Sequence, residues 1–326
     1  MHVFDAKLSR RTALLGATGA ALQLCGVKAR AADPLLHALV GFPAGGAIDT
    51  TARVYAEAIK GVGTVLVENR PGAAGNIAGT ALAQSKPDGS TLMLAPVNVY
   101  CISPALYKNL PFDPVRDFSP VGVVATFPCA LAVHPSVPAN SLAEFVAWVK
   151  AKPEPALCGM AAVGSEGHLM AYSFAKAAGI AMQFVAYKGG APMAQDLMAG
   201  HIQMAFDPIV NMGPPHKAGK VKVLAVTGAA RTPTVPETPT FRELGYTAIT
   251  GETWIGASMR QGTSPATVQS LADALAAASR TAAVRDRLAA VGLTAVWRSP
   301  ADMTALIASD AAQYGKLVRE LDLKLE

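Results

Sequence analysis

Cysteine is scarce in this sequence, with four in 326 residues and none in C-x-x-C spacing. That excludes a small disulfide-held scaffold and a zinc ribbon. Aromatic residues make up 6% and charged residues 16%, yet 51% of the chain is hydrophobic, too much for a disordered chain. After residue 32 no apolar run reaches the ~20 residues of a membrane-spanning helix without proline or charge. An excess of one charge sign is also missing from the body. Residues 1–31 hold five of the 28 basic residues and one of the 23 acidic ones, which leaves 23 against 22. No basic stripe is available to grip nucleic acid. No repeat of solenoid length occurs, and the length suits two domains with ample core.

Residues 1–31 read as an export signal. Ser9-Arg10-Arg11 precedes an apolar stretch over 13–27, and Ala29-Arg30-Ala31 offers small residues to a signal peptidase. The paired arginines resemble a twin-arginine signal, although Ala13 stands where Phe is usual. Cleavage is expected after Ala31 or Ala32, because Leu24 before Cys25 is wrong for a lipoprotein. The mature chain should be soluble and periplasmic. Cys101, Cys129 and Cys158 remain, and buried free thiols are the preferred reading over one disulfide.

Short apolar strands alternate with helical patterns. Strands are predicted at 35–41, 65–68, 92–95, 157–161, 184–186, 202–206 and 221–226. Ile48, Ala52, Tyr55 and Ile59 step along one helix face after Gly45-Gly46. Ser141-Leu142-Ala143-Glu144 is a capping box, and Gly200 should end the helix before it. The stretch 231–240 is a proline-rich connection. Everything beyond it reads as helix, with Ser264-Pro265 and Ser299-Pro300 as starts and a break near Arg280-Thr281. Strands alternating with helices imply an α/β fold with mainly parallel sheets.

The most informative loop is Gly41-Phe42-Pro43-Ala44-Gly45-Gly46-Ala47-Ile48-Asp49, between the first strand and the first helix. Its glycines permit close approach of a ligand, and the helix start offers unpaired N–H groups to an anion. It contains no lysine or arginine. It reads either as an anion cradle or as a plain strand–helix turn with Asp49 in the first helical turn. Gly164-Ser165-Glu166-Gly167-His168 follows another strand. Ser165 there is a helix cap, a ligand contact, or the nucleophile of a secreted serine hydrolase, although Val163 occupies the first position of G-x-S-x-G. Tyr187-Lys188-Gly189-Gly190, Asp207 and Asn98 also follow strands and can line a cleft. No His, Asp, Glu or Cys group has metal-ligand spacing, and no cofactor is expected.

In combination these motifs resemble the Bug family, the periplasmic solute-binding proteins of tripartite tricarboxylate transporters. The matching stretches are Phe42-Pro43-Ala44-Gly45-Gly46 with Asp49, Glu68-Asn69-Arg70-Pro71-Gly72-Ala73-Ala74-Gly75-Asn76-Ile77, Pro87-Asp88-Gly89-Ser90-Thr91-Leu92, Gly167-His168-Leu169, Tyr187-Lys188-Gly189, Asp196-Leu197, Leu224-Ala225-Val226-Thr227, Pro236-Glu237-Thr238-Pro239-Thr240-Phe241 and Trp254-Ile255-Gly256. The resemblance implies a type II periplasmic binding protein fold, two α/β domains joined by two crossing strands. Residues 32–127 with 228–326 would form the first and 128–227 the second. It implies a monomeric, non-enzymatic receptor that closes on a small organic carboxylate and docks on membrane subunits of a transporter. A sensor that hands its ligand-bound form to a membrane receptor would share the same cleft. By the resemblance, Phe42, Ala44, Gly45, Gly46 and Asp49 form one wall, and Ser165 and His168 the other, with Asp207 nearby; the residues themselves add Asn98 and Tyr187. Phe184 and Ala186 stand where the family often has His and Pro. If Phe184 faces the cleft it favours an aromatic or apolar acid; otherwise it is core.

Overall fold

The computed structural model describes residues 35–249 and 251–325, so the export-signal reading lies outside them. The chain runs β1 (Leu35–Val40), α1 (Ala47–Ala58), β2 (Thr64–Asn69), α2 (Asn76–Ala83) and β3 (Thr91–Pro96). A π-helical turn at Asn98–Ile102 leads into α3 (Ser103–Leu106), then α4 (Pro114–Asp117), β4 (Phe118–Phe127) and β5 (Cys129–Val133). Next come α5 (Leu142–Lys150), β6 (Ala156–Met160), α6 (Glu166–Ala178), β7 (Met182–Ala186), α7 (Gly190–Ala199), β8 (Met204–Pro208), α8 (Ile209–Lys217) and β9 (Lys222–Val226). The chain ends with β10 (Thr253–Arg260), α9 (Pro265–Ser279), α10 (Ala282–Ala289), β11 (Thr294–Arg298) and α11 (Pro300–Glu320).

Two sheets result. The first has the order β11-β4-β10-β3-β1-β2 and the second β7-β6-β8-β5-β9. β1 lies parallel between β2 and β3, whereas β10 runs antiparallel between β3 and β4. In the second sheet β6 is parallel to β7 and β8, and β5 is antiparallel to β8 and β9. Helices cover both faces, so alternate residues of one strand enter different cores. Leu92 and Leu94 pack on one side of the first sheet, Met93 and Ala95 on the other. Leu131 and Val133 likewise oppose Ala130 and Ala132 in the second. This is why the central strands read as continuous apolar runs.

The chain crosses between sheets at Pro128 and returns through the segment after β9. The crossings are tied together: the Cys129 N–H donates to Thr227 Oγ1 at 3.0 Å and the Thr227 N–H to the Cys129 carbonyl at 2.9 Å. The late segment also returns to the first sheet, where α11 packs with the π-turn and Met303, Ile307, Tyr314 and Val318 join its core.

Local chemistry sets the helix ends. Ser264 and Ser299 cap α9 and α11 with proline in the first turn, and Asp302 completes a capping box with Ser299. Ser141 caps α5 through the Glu144 N–H, but the Glu144 carboxylate reaches back to the Asn140 N–H, so that box closes one residue early. Gly200 ends α7 in the left-handed conformation. Thr281 starts α10 at the expected break. The wholly helical reading of the residues after 240 is corrected by β10 and β11. β10 is buried along nearly its whole length, so no alternation marks it, and Gly256, Ala257 and Ser258 follow its β-branched Thr253 and Ile255. β4 is disguised by Pro120 and Gly122. All three cysteines among the described residues are buried free thiols.

Candidate ligand-binding site

The loops that follow strands of the two sheets enclose a cavity of about 740 Å³. Crevices beyond the carboxyl ends of strands are where open α/β sheets bind ligands. The first wall is the turn between β1 and α1. Gly45 adopts φ +82°, open to glycine at little cost, and Gly46 begins α1 without any side-chain cap. Among the described residues no side chain caps the leading N–H groups of α1, which carry the positive end of the helix dipole.

A network behind the turn fixes its shape. Asp49 accepts from the Gly45 N–H at 2.9 Å, from Arg53 Nε at 3.0 Å and from Asn69 Nδ2 at 2.8 Å. Asn69 also donates to the Phe42 carbonyl at 3.1 Å. Burial opposes ionisation of Asp49, but the bonds from Arg53, Gly45 and Asn69 outweigh it and hold its pKa below the ordinary value. Residues 71–75 complete this wall. Gly72, Ala73, Ala74 and Gly75 all have positive φ, at 137°, 47°, 54° and 96°, which for two alanines is a strained backbone held in place by its surroundings. Gly41 lies so close to Gly75 that a Cβ would stand 2.6 Å from the Gly75 Cα.

The opposite wall comes from the second sheet. Ser165 caps α6 by accepting from the His168 N–H, and Gly164 is held from both sides. Its N–H donates to His168 Nδ1 at 3.1 Å, and its carbonyl accepts from Asn98 Nδ2 of the first sheet's turn at 3.1 Å. Glu166 is buried, and it too joins the sheets: its carboxylate accepts from the hydroxyls of Thr253 on β10 and Tyr314 on α11. Burial raises its pKa against those bonds. Asp207, at the end of β8, is 3% exposed and accepts from Asn211 Nδ2 at 2.6 Å. Burial pushes its pKa up to about 7, despite that bond. Lys188 sits exposed at the rim.

Of the residues singled out in the sequence, Phe42, Ala44, Gly45, Gly46, Asn98, Ser165, Tyr187 and Asp207 line the cavity. Asp49 and His168 are not among the lining residues. Asp49 turns back to clamp the loop. His168 packs behind the wall with its ring 5.0 Å from Phe184 and 5.3 Å from Tyr172, and burial lowers its pKa to about 4. The Gly45 N–H is likewise spent on Asp49, so the free donors of the turn start one residue later. Tyr187 gives its hydroxyl to Asp196 at 2.8 Å. Phe184 stacks on Tyr172 at 4.5 Å and belongs to the core side. Trp254 is core, stacked 5.3 Å from Tyr100 with its indole N–H on Asp310. The sequence reading held Lys188 within the Tyr187-Lys188-Gly189-Gly190 loop and Glu166 only as a neighbour of Ser165; it missed the lining role of the 71–75 loop, Asn211 and Thr253. The run Pro71-Gly72-Ala73-Ala74-Gly75 after a predicted strand was the available signal; Thr253 had none, because β10 was unseen.

Among the described residues the geometry leaves Ser165 without a base. The one nearby imidazole faces the Gly164 N–H with Nδ1, and Ser165 itself accepts from the helix backbone. Among the described residues no His, Cys, Asp or Glu cluster can hold a metal ion.

The sequence profile of the family described as tripartite tricarboxylate transporter family receptor matches residues 51–323. The chain belongs to this family. It is 30% identical over 294 residues to protein BugT of Bordetella pertussis, covering 89% of this chain and 90% of that protein. It is also similar to two solved Rhodopseudomonas palustris proteins. Rpa4515 with adipate has TM-score 0.83 and 30% identity, with 87% of this chain and 96% of that one covered. MatC with bound malate has TM-score 0.81 and 29% identity, with 87% and 98% covered. Solved periplasmic binding proteins share the fold across nine-tenths of the chain. These similar proteins are receptors, not enzymes, so the hydrolase reading of Ser165 is set aside and the chain stands as a solute-binding protein.

Proposed function

We propose that this chain is a periplasmic receptor that closes on a small organic carboxylate and delivers it to the membrane subunits of a tripartite tricarboxylate-type transporter. The observation that carries this reading is the uncapped start of α1 opening into a cavity of about 740 Å³. One carboxylate of the ligand takes the N–H groups at Gly46, Ala47 and Ile48, directly or through water. Each such bond to a charged group contributes ~1.5–3 kcal/mol. A few of them, with burial of the carbon skeleton, reach the ~ −8 kcal/mol of micromolar binding after association costs. The adipate and malate held by the two similar proteins support this ligand class.

In this reading residues 32–127 and 228–326 form one moving body and 128–227 the other. The tied crossings at Cys129 and Thr227 act as the hinge. The Asn98–Gly164 bond and the close approach of Gly189 to Pro43 are contacts of the closed state. Residues 1–31 direct export, and the receptor works as a monomer without cofactor. A thermal-shift panel of carboxylic acids, followed by titration calorimetry, tests the function. At least one small carboxylate should raise Tm and bind with a Kd near micromolar or tighter. A panel in which only amines, sugars or no compound stabilises the protein would contradict it.

A further inference from the structure

The far wall of the cavity holds a buried acid that no cation touches among the described residues. Asp207 closes β8, and among the described residues its one side-chain partner is the Asn211 amide on Oδ2. Gly190 at the start of α7 packs so tightly here that a Cβ would lie 2.6 Å from Oδ2 and 2.4 Å from the Asn211 amide nitrogen. The titratable groups around it are unhelpful to a negative charge. Glu166 is a second buried acid, with both oxygens taken by Thr253 and Tyr314. Cys129, on the adjacent strand β5, is pushed up by burial and then by the charges of Glu166 and Asp207. Tyr187 is committed to Asp196, and Lys188 stays at the exposed rim. A buried carboxylate without a cation relieves its cost by taking up a proton.

We propose that Asp207 is the neutral acid of the loaded cleft and donates its carboxyl proton to the second carboxylate of a dicarboxylate, so that the dianion enters together with one proton from solvent. The inference rests on the carboxylate-receptor reading and deepens it. The first carboxylate meets backbone N–H groups at α1 and the second meets a hydroxyl donor on β8. A buried ionised acid beside that second group would repel it, so binding and protonation favour one another. Burial pushes the Asp207 pKa up to about 7, which puts the coupling in the ordinary pH range.

Titration calorimetry with the dicarboxylates from malonate to pimelate, each beside its monocarboxylate and its ω-amino acid, tests this. The tightest dicarboxylate should lose about tenfold in affinity per pH unit above about pH 7, by proton linkage. At about pH 8 its binding heat should vary with the ionisation heat of the buffer as the uptake of close to one proton requires. The monocarboxylate should show a much flatter profile, and Asp207→Asn should flatten the dicarboxylate profile. Tighter binding of the ω-amino acid, lost in Asp207→Asn, would overturn the proposal in favour of an ionised Asp207. So would a slope that persists in the variant. Infrared titration of the ligand-free wild type decides independently of any ligand. A neutral-acid carbonyl band, absent in Asp207→Asn and with its midpoint near neutral pH, is expected; its absence at acid pH overturns the proposal. If that band is present but no carboxylate binds, the receptor reading falls instead.

Discussion

His168 shows how far a residue's type can mislead about its place. Its position in Gly167-His168-Leu169, three residues beyond a loop serine, suggested a cleft wall. Its ring instead packs against Tyr172 and Phe184 and accepts from the Gly164 N–H, so it supports the wall from behind. A histidine whose folded pKa is lowered to about 4 stays neutral while the unfolded chain binds a proton below about pH 6.5. Its contribution to stability is therefore complete above that value and is lost as pH falls towards 4. Chemical denaturation at pH 7 and pH 5 should show the wild type losing roughly 2 kcal/mol more than His168→Gln on acidification. Equal losses would remove this imidazole from the pH response. The cavity-lining roles of Phe42, Gly46 and Asn98 were legible because each follows a strand. The turning back of Asp49 was not, because it depends on Asn69, twenty residues away and on the next strand.

At the scale of elements, the turn between β1 and α1 acts as one rigid part. Asp49, Arg53 and Asn69 hold its back, the 71–75 loop packs its side, and α1 is pinned to the sheet by Tyr55 O–H to the Val124 carbonyl at 2.7 Å. A Cβ at Gly45 would meet nothing within 4 Å. Gly45→Asp therefore introduces a negative side chain without a clash, and aspartate tolerates the left-handed backbone better than most residues. Affinity for the bound carboxylate should fall at least about tenfold, which is ~1.4 kcal/mol. The variant should keep its circular dichroism spectrum, and unchanged affinity by calorimetry would take the turn out of the site. The same scale shows what the sequence pattern could reveal. Strands flanked by helices carry a β-to-α change of period, and the seven predicted ones fall on β1, β2, β3 and β6 to β9. β4, β5 and β10 lie buried in the middle of sheets with small residues and no intervening helix, so nothing local separates them from loop or core helix.

At the scale of the molecule, two sheets share two crossings and bury polar links between them. Glu166 joins α6 to β10 and α11, and Asn98 joins the first sheet's turn to Gly164. The discontinuous course of the chain, with late elements returning to the first sheet, was expected from the family resemblance; hydrophobic periodicity alone could not establish it. If Asn98 holds the closed state, Asn98→Ala should weaken ligand binding about three- to thirtyfold, with most of the change in the dissociation rate. Small-angle scattering should then find the variant more open than wild type at the same ligand concentration. Equal compactness and equal off-rate would reduce Asn98 to a packing residue.

A crystal structure of the chain with its tightest carboxylate bears most directly on the account. One acid group should lie within hydrogen-bond reach of the Gly46, Ala47 and Ile48 N–H groups or of a water they hold. An acid group paired with Lys188, or seated away from the start of α1, would contradict it.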